Sequence, residues 1–255
     1  MLKIFRKVRH NMIKNKKVTS YILYAIGEIF LVMIGILLAL QVNNWNEERK
    51  ANSKLSSILK TIKNDLKTDT LVGSSVIRYY DSINKYSNKV INNEYNVKNI
   101  EECVPCRSLL TGYNPFNIQK KGFKLLQNYT ESKSEKTDSL ITDLSQFYTF
   151  FDAMVINNNE MIKSETLANL NYFKQQDWFI PWMQGQMTDE MKDFFGNSLD
   201  YKNRVAANNI LTTSNHQNYI KLYKTNASAL LNRIDKRLKI NPKEIKSIVL
   251  DSIKN

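Results

Sequence analysis

The pair most suggestive of chemistry is Cys103 and Cys106, in the run Cys-Val-Pro-Cys. Thiol oxidoreductases use that spacing, with the pair at a strand-to-helix junction of a βαβ unit. No strand pattern flanks this one, so redox activity is the less favoured reading. Zinc would require about four ligands. The only histidines are His10, in a basic N-terminal tail, and His216, in a predicted helix. In an oxidising compartment the two cysteines are expected to close a local disulfide that pins a loop.

A second candidate is Glu28, the one charged residue in the apolar run from Tyr21 to Val42. An ionised carboxylate inside a bilayer costs several kcal/mol, which makes intramembrane acids functional candidates. Ala25, Glu28, Val32, Gly35, Ala39 and Val42 follow one another in steps of three and four, so they share a stripe of mostly small residues that a second helix could approach closely. Pairing or proton-coupled contact with that second membrane helix is the favoured reading. The alternative is a protonated or snorkelling Glu28 with no specific role.

The third candidate is the aromatic run Trp178, Phe179, Ile180, Pro181, Trp182, Met183. Trp178, Phe179 and Trp182 can form a partner-binding or membrane-interface patch, or they can cap the end of a helical core. Hydrolytic and phosphate chemistry have no motif here: there is no Gly-rich phosphate loop, no G-x-S-x-G and no H-E-x-x-H. Acid pairs such as Asp189 and Glu190 stand where a helix N-terminus favours negative charge. No catalytic residue, metal or cofactor is expected, and the chain is not read as an enzyme.

The elements that position these residues begin with the apolar run. Its twenty-two residues rise about 33 Å as a helix, against a hydrocarbon core of about 30 Å, and are read as a transmembrane helix. Residues 1–20 carry Lys3, Arg6, Lys7, Arg9, Lys14, Lys16 and Lys17 and no acid, whereas Asn43 to Lys50 is polar and nearly neutral. Basic flanks stay inside, so the N-terminus is expected in the cytoplasm and residues 43–255 in the periplasm of a bacterial inner membrane. Tyr21 and Trp45 stand where aromatic interface anchors lie. A cleaved signal peptide fits less well, because the apolar run is longer than an h-region and Leu38 to Val42 lacks an A-x-A exit.

The net charge of +13 divides unevenly, with +7 in the tail and 30 basic against 23 acidic residues beyond the span. The densest basic cluster adjoins the membrane, where anionic headgroups explain it, and nucleic acid is not an expected partner. The outer part is long enough for one sizeable domain.

Seven glycines and four prolines in 255 residues leave too little punctuation for an all-β fold. Leu55, Leu59, Ile62, Leu66, Asp69, Gly73, Val76, Tyr80, Ile83, Ser87 and Val90 step by four and three, the face of a long helix. It can run without a break from the membrane, because residues 43–54 contain neither Gly nor Pro, and Gly73 is the first place to expect an interruption by a kink. Residues 93–114 read as a loop, followed by a short helix with Asn114 as N-cap and Pro115 at its first position, ending at Gly122. A second long helix is expected over roughly 134–173, an irregular aromatic stretch next, a short helix after Thr188, and a third long helix over about 199–239. Asn241 and Pro242 would open a C-terminal helix through Ile245, Ile248, Val249 and Ile253. The fold class is therefore all-α: a single N-terminal transmembrane helix followed by an antiparallel bundle of long helices. If the second long helix returns toward the membrane, the tryptophan loop lies near the lipid and the cysteine loop at the opposite end.

The run Tyr24 to Lys50 (YAIGEIFLVMIGILLALQVNNWNEERK) closely resembles the N-terminal signature of a large group of uncharacterised bacterial single-pass membrane proteins, a domain family of unknown function. Phe116 to Leu126 (FNIQKKGFKLL) and Leu230 to Leu238 (LLNRIDKRL) are similar to the family's later helices. The resemblance implies topology and fold, and no activity. The function expected is a membrane-anchored periplasmic scaffold or adaptor, held in the bilayer and joined to another membrane protein, or to itself, through the span. The alternative is a sensor or ligand-binding bundle that signals through a partner membrane helix.

Overall fold

The computed structural model describes residues 18–131 and 138–239. The basic tail through residue 17, the Tyr21 side chain and the expected C-terminal helix lie outside them. Among the described residues every regular element is helical. The elements are α1 (Val18–Ile91), two 3-10 turns at Ile100–Glu102 and Val104–Ser108, α2 (Lys121–Glu131), α3 (Ser139–Phe173), α4 (Phe179–Met183), α5 (Asp189–Asn197), α6 (Leu199–Asn209), a π-helical segment Ile210–Gln217, and α7 (Asn218–Lys239).

The chain divides into two compact units, Met1–Ser56 and Ser57–Asn255. In the first, the large aliphatic side chains from Ile22 to Val42 are exposed, and α1 is the one described helix long and apolar enough to cross a membrane, with a best-window mean hydropathy of 2.5. Trp45 is exposed, with the Arg49 guanidinium 5.8 Å from its ring centre. Among the described side chains, the first buried one of α1 is Leu55. The boundary therefore falls well past Val42, because the turns after the apolar run have nothing to pack against.

Ten of the eleven stripe positions of α1 are buried and Ile83 is half-buried, all but Leu55 lying in the second unit, so the period of four and three sets the packed face. The helix runs through Gly73 without interruption. A Cβ there would stand 3.0 Å from Ile220 Cγ2 and 3.4 Å from the Phe116 ring, so the glycine provides close approach to α7 and not flexibility.

The expected helix opening at Asn114 and Pro115 is also absent. Residues 113–120 form an irregular strap, and α2 begins only at Lys121. Asn114 is held by Tyr80 instead: its N–H donates to Tyr80 Oη and its carbonyl accepts from the same hydroxyl, both at 3.1 Å. Gly122 is the second residue of α2 and does not end a helix. Its missing side chain lets the backbone meet that of Ile62, where a Cβ would stand 2.7 Å from the Ile62 nitrogen.

Helix α3 opens on Asp138, whose side chain accepts from the Leu140 N–H, and α5 on Thr188, which accepts from Met191. Both are N-caps of the ordinary kind. The third long helix forms over its expected span, but with a widened π turn in its middle.

Contacts between elements fix their directions. Along α1, Lys63, Asp69, Ile77 and Asn88 meet Asp235, Tyr223, Gln217 and Asn209 in that order. Along α3, Asp143 and Asn169 meet Arg233 and Arg204. Both helices thus pair with the C-terminal helices in reverse order, and α3 runs the same way as α1. The strap makes the return between them. The tryptophan and cysteine loops consequently lie at the same end of this unit, not at opposite ends.

Candidate functional site

Two of the three candidate sites merge. Cys103 and Cys106 are joined by a disulfide, and both are buried in one cluster with Val90, Leu109, Phe173, Trp178, Met191, Phe195, Tyr201 and Val205. The turn that carries the disulfide is held through its carbonyls. Tyr201 Oη donates to Cys106 O, Trp182 Nε1 donates to Arg107 O at 3.0 Å, and Asn208 Nδ2 donates to Leu109 O at 2.9 Å. Arg107 in turn donates to Gly185 O at 3.2 Å, beside the turn where Gly185 adopts a φ of +75°. Gly196 completes the packing, since a Cβ there would stand 2.5 Å from the Val97 nitrogen.

This arrangement leaves the sulfurs without access and places Trp178, at 7% exposure, inside the core, with Phe179 and Trp182 packed partly buried around it. The exposed apolar groups of this stretch are Ile180 and Met183. Burial pushes the Tyr201 phenol well above its ordinary pKa, so it remains a neutral donor. At the surface, Lys192 binds Glu101 at 2.9 Å and Asp189 at 3.2 Å, tying α5 to the first 3-10 turn.

A second polar centre was not singled out from sequence. Asp69, 1% exposed, accepts from Tyr223 Oη at 2.6 Å and from the Gln119 N–H at 3.1 Å. One turn earlier, Asp65 accepts from the Gly122 N–H at 2.7 Å. Asp69 thus holds the end of the strap, and Asp65 satisfies a donor in the first turn of α2, where a helix dipole favours negative charge. Desolvation raises Asp69 to about 6, against the opposing pull of Tyr223 and Gln119. Tyr223 and Tyr148 are pushed far up by burial, with Asp69 and Asp65 adding to the shift.

Above this centre the strap is held by another side chain. Asn159 Nδ2 donates to Phe116 O at 2.7 Å and its Oδ1 accepts from Phe116 N at 3.2 Å, so one amide replaces a neighbouring strand. His216, in the π segment, is buried with its ring edge-on to Tyr80, and desolvation lowers it to about 4. The imidazole is a neutral core group. Among the described residues no three His, Cys, Asp or Glu side chains gather as a metal site requires.

The stripe on the apolar run stays apart from these centres. Val32 is 59% exposed, and a Cβ on Gly35 would meet nothing within 4 Å, so neither packs against another element among the described residues. Ala25 and Glu28 are half-buried and Ala39 is exposed. Elsewhere, a groove of about 490 Å³ runs between α3 and α7, lined by Phe147, Phe150, Phe151, Leu222 and Leu230, with the Asp143–Arg233 ion pair beside them.

The model of a family of unknown function (DUF6090) matches residues 28–104. The chain is similar to that family from Glu28, through the packed stripe of α1, to the first half of the disulfide turn. The matched part is under a third of the sequence. No curated protein and no solved structure shows a significant match.

Proposed function

We propose that this protein is a single-pass protein of the bacterial inner membrane, with its N-terminus in the cytoplasm and residues 43–255 in the periplasm as a scaffold or adaptor for partner proteins. The described bundle is antiparallel in the sense that α7 runs against α1 and α3, and the reversed order of the Lys63–Asp235, Asp69–Tyr223 and Asp143–Arg233 pairs supports this. The single observation that carries the reading is the core itself. The side chains with chemical potential, namely the disulfide, His216, Asp69 and Tyr201, are buried and used to fasten segments to one another. Among the side chains that face outward are large apolar ones, Ile180 and Met183. Such a molecule is suited to holding partners more than to transforming them.

The basic tail supports the orientation, and the small-residue stripe from Ala25 to Ala39 supports a contact with another membrane helix or with a second copy. Crosslinking and co-purification of the full chain from native membranes tests the reading. A partner that is recovered with the wild type and reduced at least tenfold with Glu28→Gln or with Ile180→Ser/Met183→Ser supports it. Recovery of the same set by an unrelated single-pass anchor would overturn it, as would a mature N-terminus beyond residue 42.

The sensor alternative draws on the groove between α3 and α7, whose aromatic walls and ion pair suit a small amphipathic solute. A saturable rise in melting temperature with such a solute, abolished by Phe150→Ala, would favour it over scaffolding.

A further inference from the structure

Among the described residues, six buried polar side-chain atoms have no hydrogen-bond partner in the protein, and three of them are on α1, α3 and α6: Ser87 Oγ, Thr166 Oγ1 and Asn208 Oδ1. Their residues are 0%, 8% and 2% exposed, so bulk solvent does not serve them. Neighbouring contacts place the three at one level. Asn209 donates to Asn88 at 3.5 Å, which sets Ser87 beside the end of α6. Arg204 donates to Asn169 at 3.1 Å. Because α3 and α6 run in opposite directions, stepping back from Asn169 to Thr166 and forward from Arg204 to Asn208 moves about 5 Å the same way along the axis.

The donor inventory at this level is one-sided. Each hydroxyl can donate, whereas Asn208 Oδ1 only accepts, its Nδ2 being occupied by Leu109 O. A water molecule matches that set, accepting from Ser87 and Thr166 and donating to Asn208, and buried waters typically make about three such bonds. We propose that a single buried water binds Ser87, Thr166 and Asn208 and fastens α1, α3 and α6 together just before the π turn. The competing arrangement turns each hydroxyl onto its own helix, at the carbonyls of Ile83 and Ile162.

A crystal structure of the full chain that resolves solvent, together with a double-mutant cycle of Ser87→Ala and Thr166→Val, tests the site. The expected result is a water with these three partners. Each single variant should lower the folding equilibrium constant about fivefold, and the double variant about tenfold and not about twenty-fivefold, because both losses share one ligand. Hydroxyls bonded to Ile83 and Ile162, or fully additive costs, would overturn the proposal.

Discussion

The Tyr223 hydroxyl reaches 154 residues back along the chain to donate to the buried carboxylate of Asp69 at 2.6 Å. The same carboxylate receives the Gln119 N–H, so one acid joins α1, the strap and α7.

That acid titrates in an accessible range. Its native pKa of about 6 lies above the free value of about 3.9, so the native state holds the proton more tightly. The resulting contribution to stability is complete below about pH 4 and is lost as pH rises through 6. His216 acts in the opposite sense: its native pKa of about 4 lies below the free value of about 6.5, and its contribution is lost as pH falls toward 4. The two nearly cancel in the wild type. Asp69→Asn should expose the His216 effect as a loss of stability on acidification, and His216→Gln should expose the Asp69 effect as a loss on neutralisation. Each effect should amount to roughly 2–3 kcal/mol across the window. Parallel pH–stability curves for the two variants and the wild type would refute this.

Asn159→Ala leaves both the N–H and the carbonyl of Phe116 buried and unpaired. The expected cost is about 2–6 kcal/mol, from two unsatisfied groups at about 1–3 kcal/mol each. Hydrogen exchange should show the loss concentrated in residues 113–120. A cost below about 1 kcal/mol would mean that the strap is held by its apolar contacts alone.

Three glycines should respond differently to alanine. At Gly122 and Gly196 the new Cβ would meet backbone atoms of Ile62 and Val97, at 2.7 and 2.5 Å. Backbone cannot rotate away, so each substitution should cost at least about 2 kcal/mol. At Gly73 the nearest atom is a methyl of Ile220 at 3.0 Å, and the gain of about 1 kcal/mol in helix propensity offsets the crowding. Urea denaturation should rank Gly73→Ala closest to wild type.

Trp178→Ala should destabilise the fold by about 3–5 kcal/mol, as expected for a buried aromatic. Ile180→Ser/Met183→Ser should leave the melting temperature within a few degrees of wild type. Comparable losses from both would place Ile180 and Met183 in the core.

Much of this was legible in the sequence, and the residues that broke the pattern were the most informative. The apolar period of α1 located its packed face, and its three exceptions mark special positions: Asp69 holds the strap, Gly73 admits Ile220, and Ser87 is a buried hydroxyl without a partner. Periodicity reveals such exceptions, but it cannot say what they contact. The strap was misread for a related reason. Asn114-Pro115 carries a valid local cap signal, yet Tyr80, 34 residues away, takes both backbone groups of Asn114. The merging of the cysteine and tryptophan loops depends on the direction of α3, which an amphipathic stripe does not encode. Asn159 resembles any polar helix residue until its partner is known.

The distance in sequence between α1 and its partners has a consequence for biogenesis. Leu66, Val76 and Tyr80 lie on a face that Ile220 and Tyr223 help to cover, and those residues are synthesised more than 130 positions later. A chain that emerges N-terminus first therefore carries an uncovered apolar stripe until nearly all of it has been delivered. Such a nascent chain is vulnerable to aggregation and proteolysis for most of its synthesis.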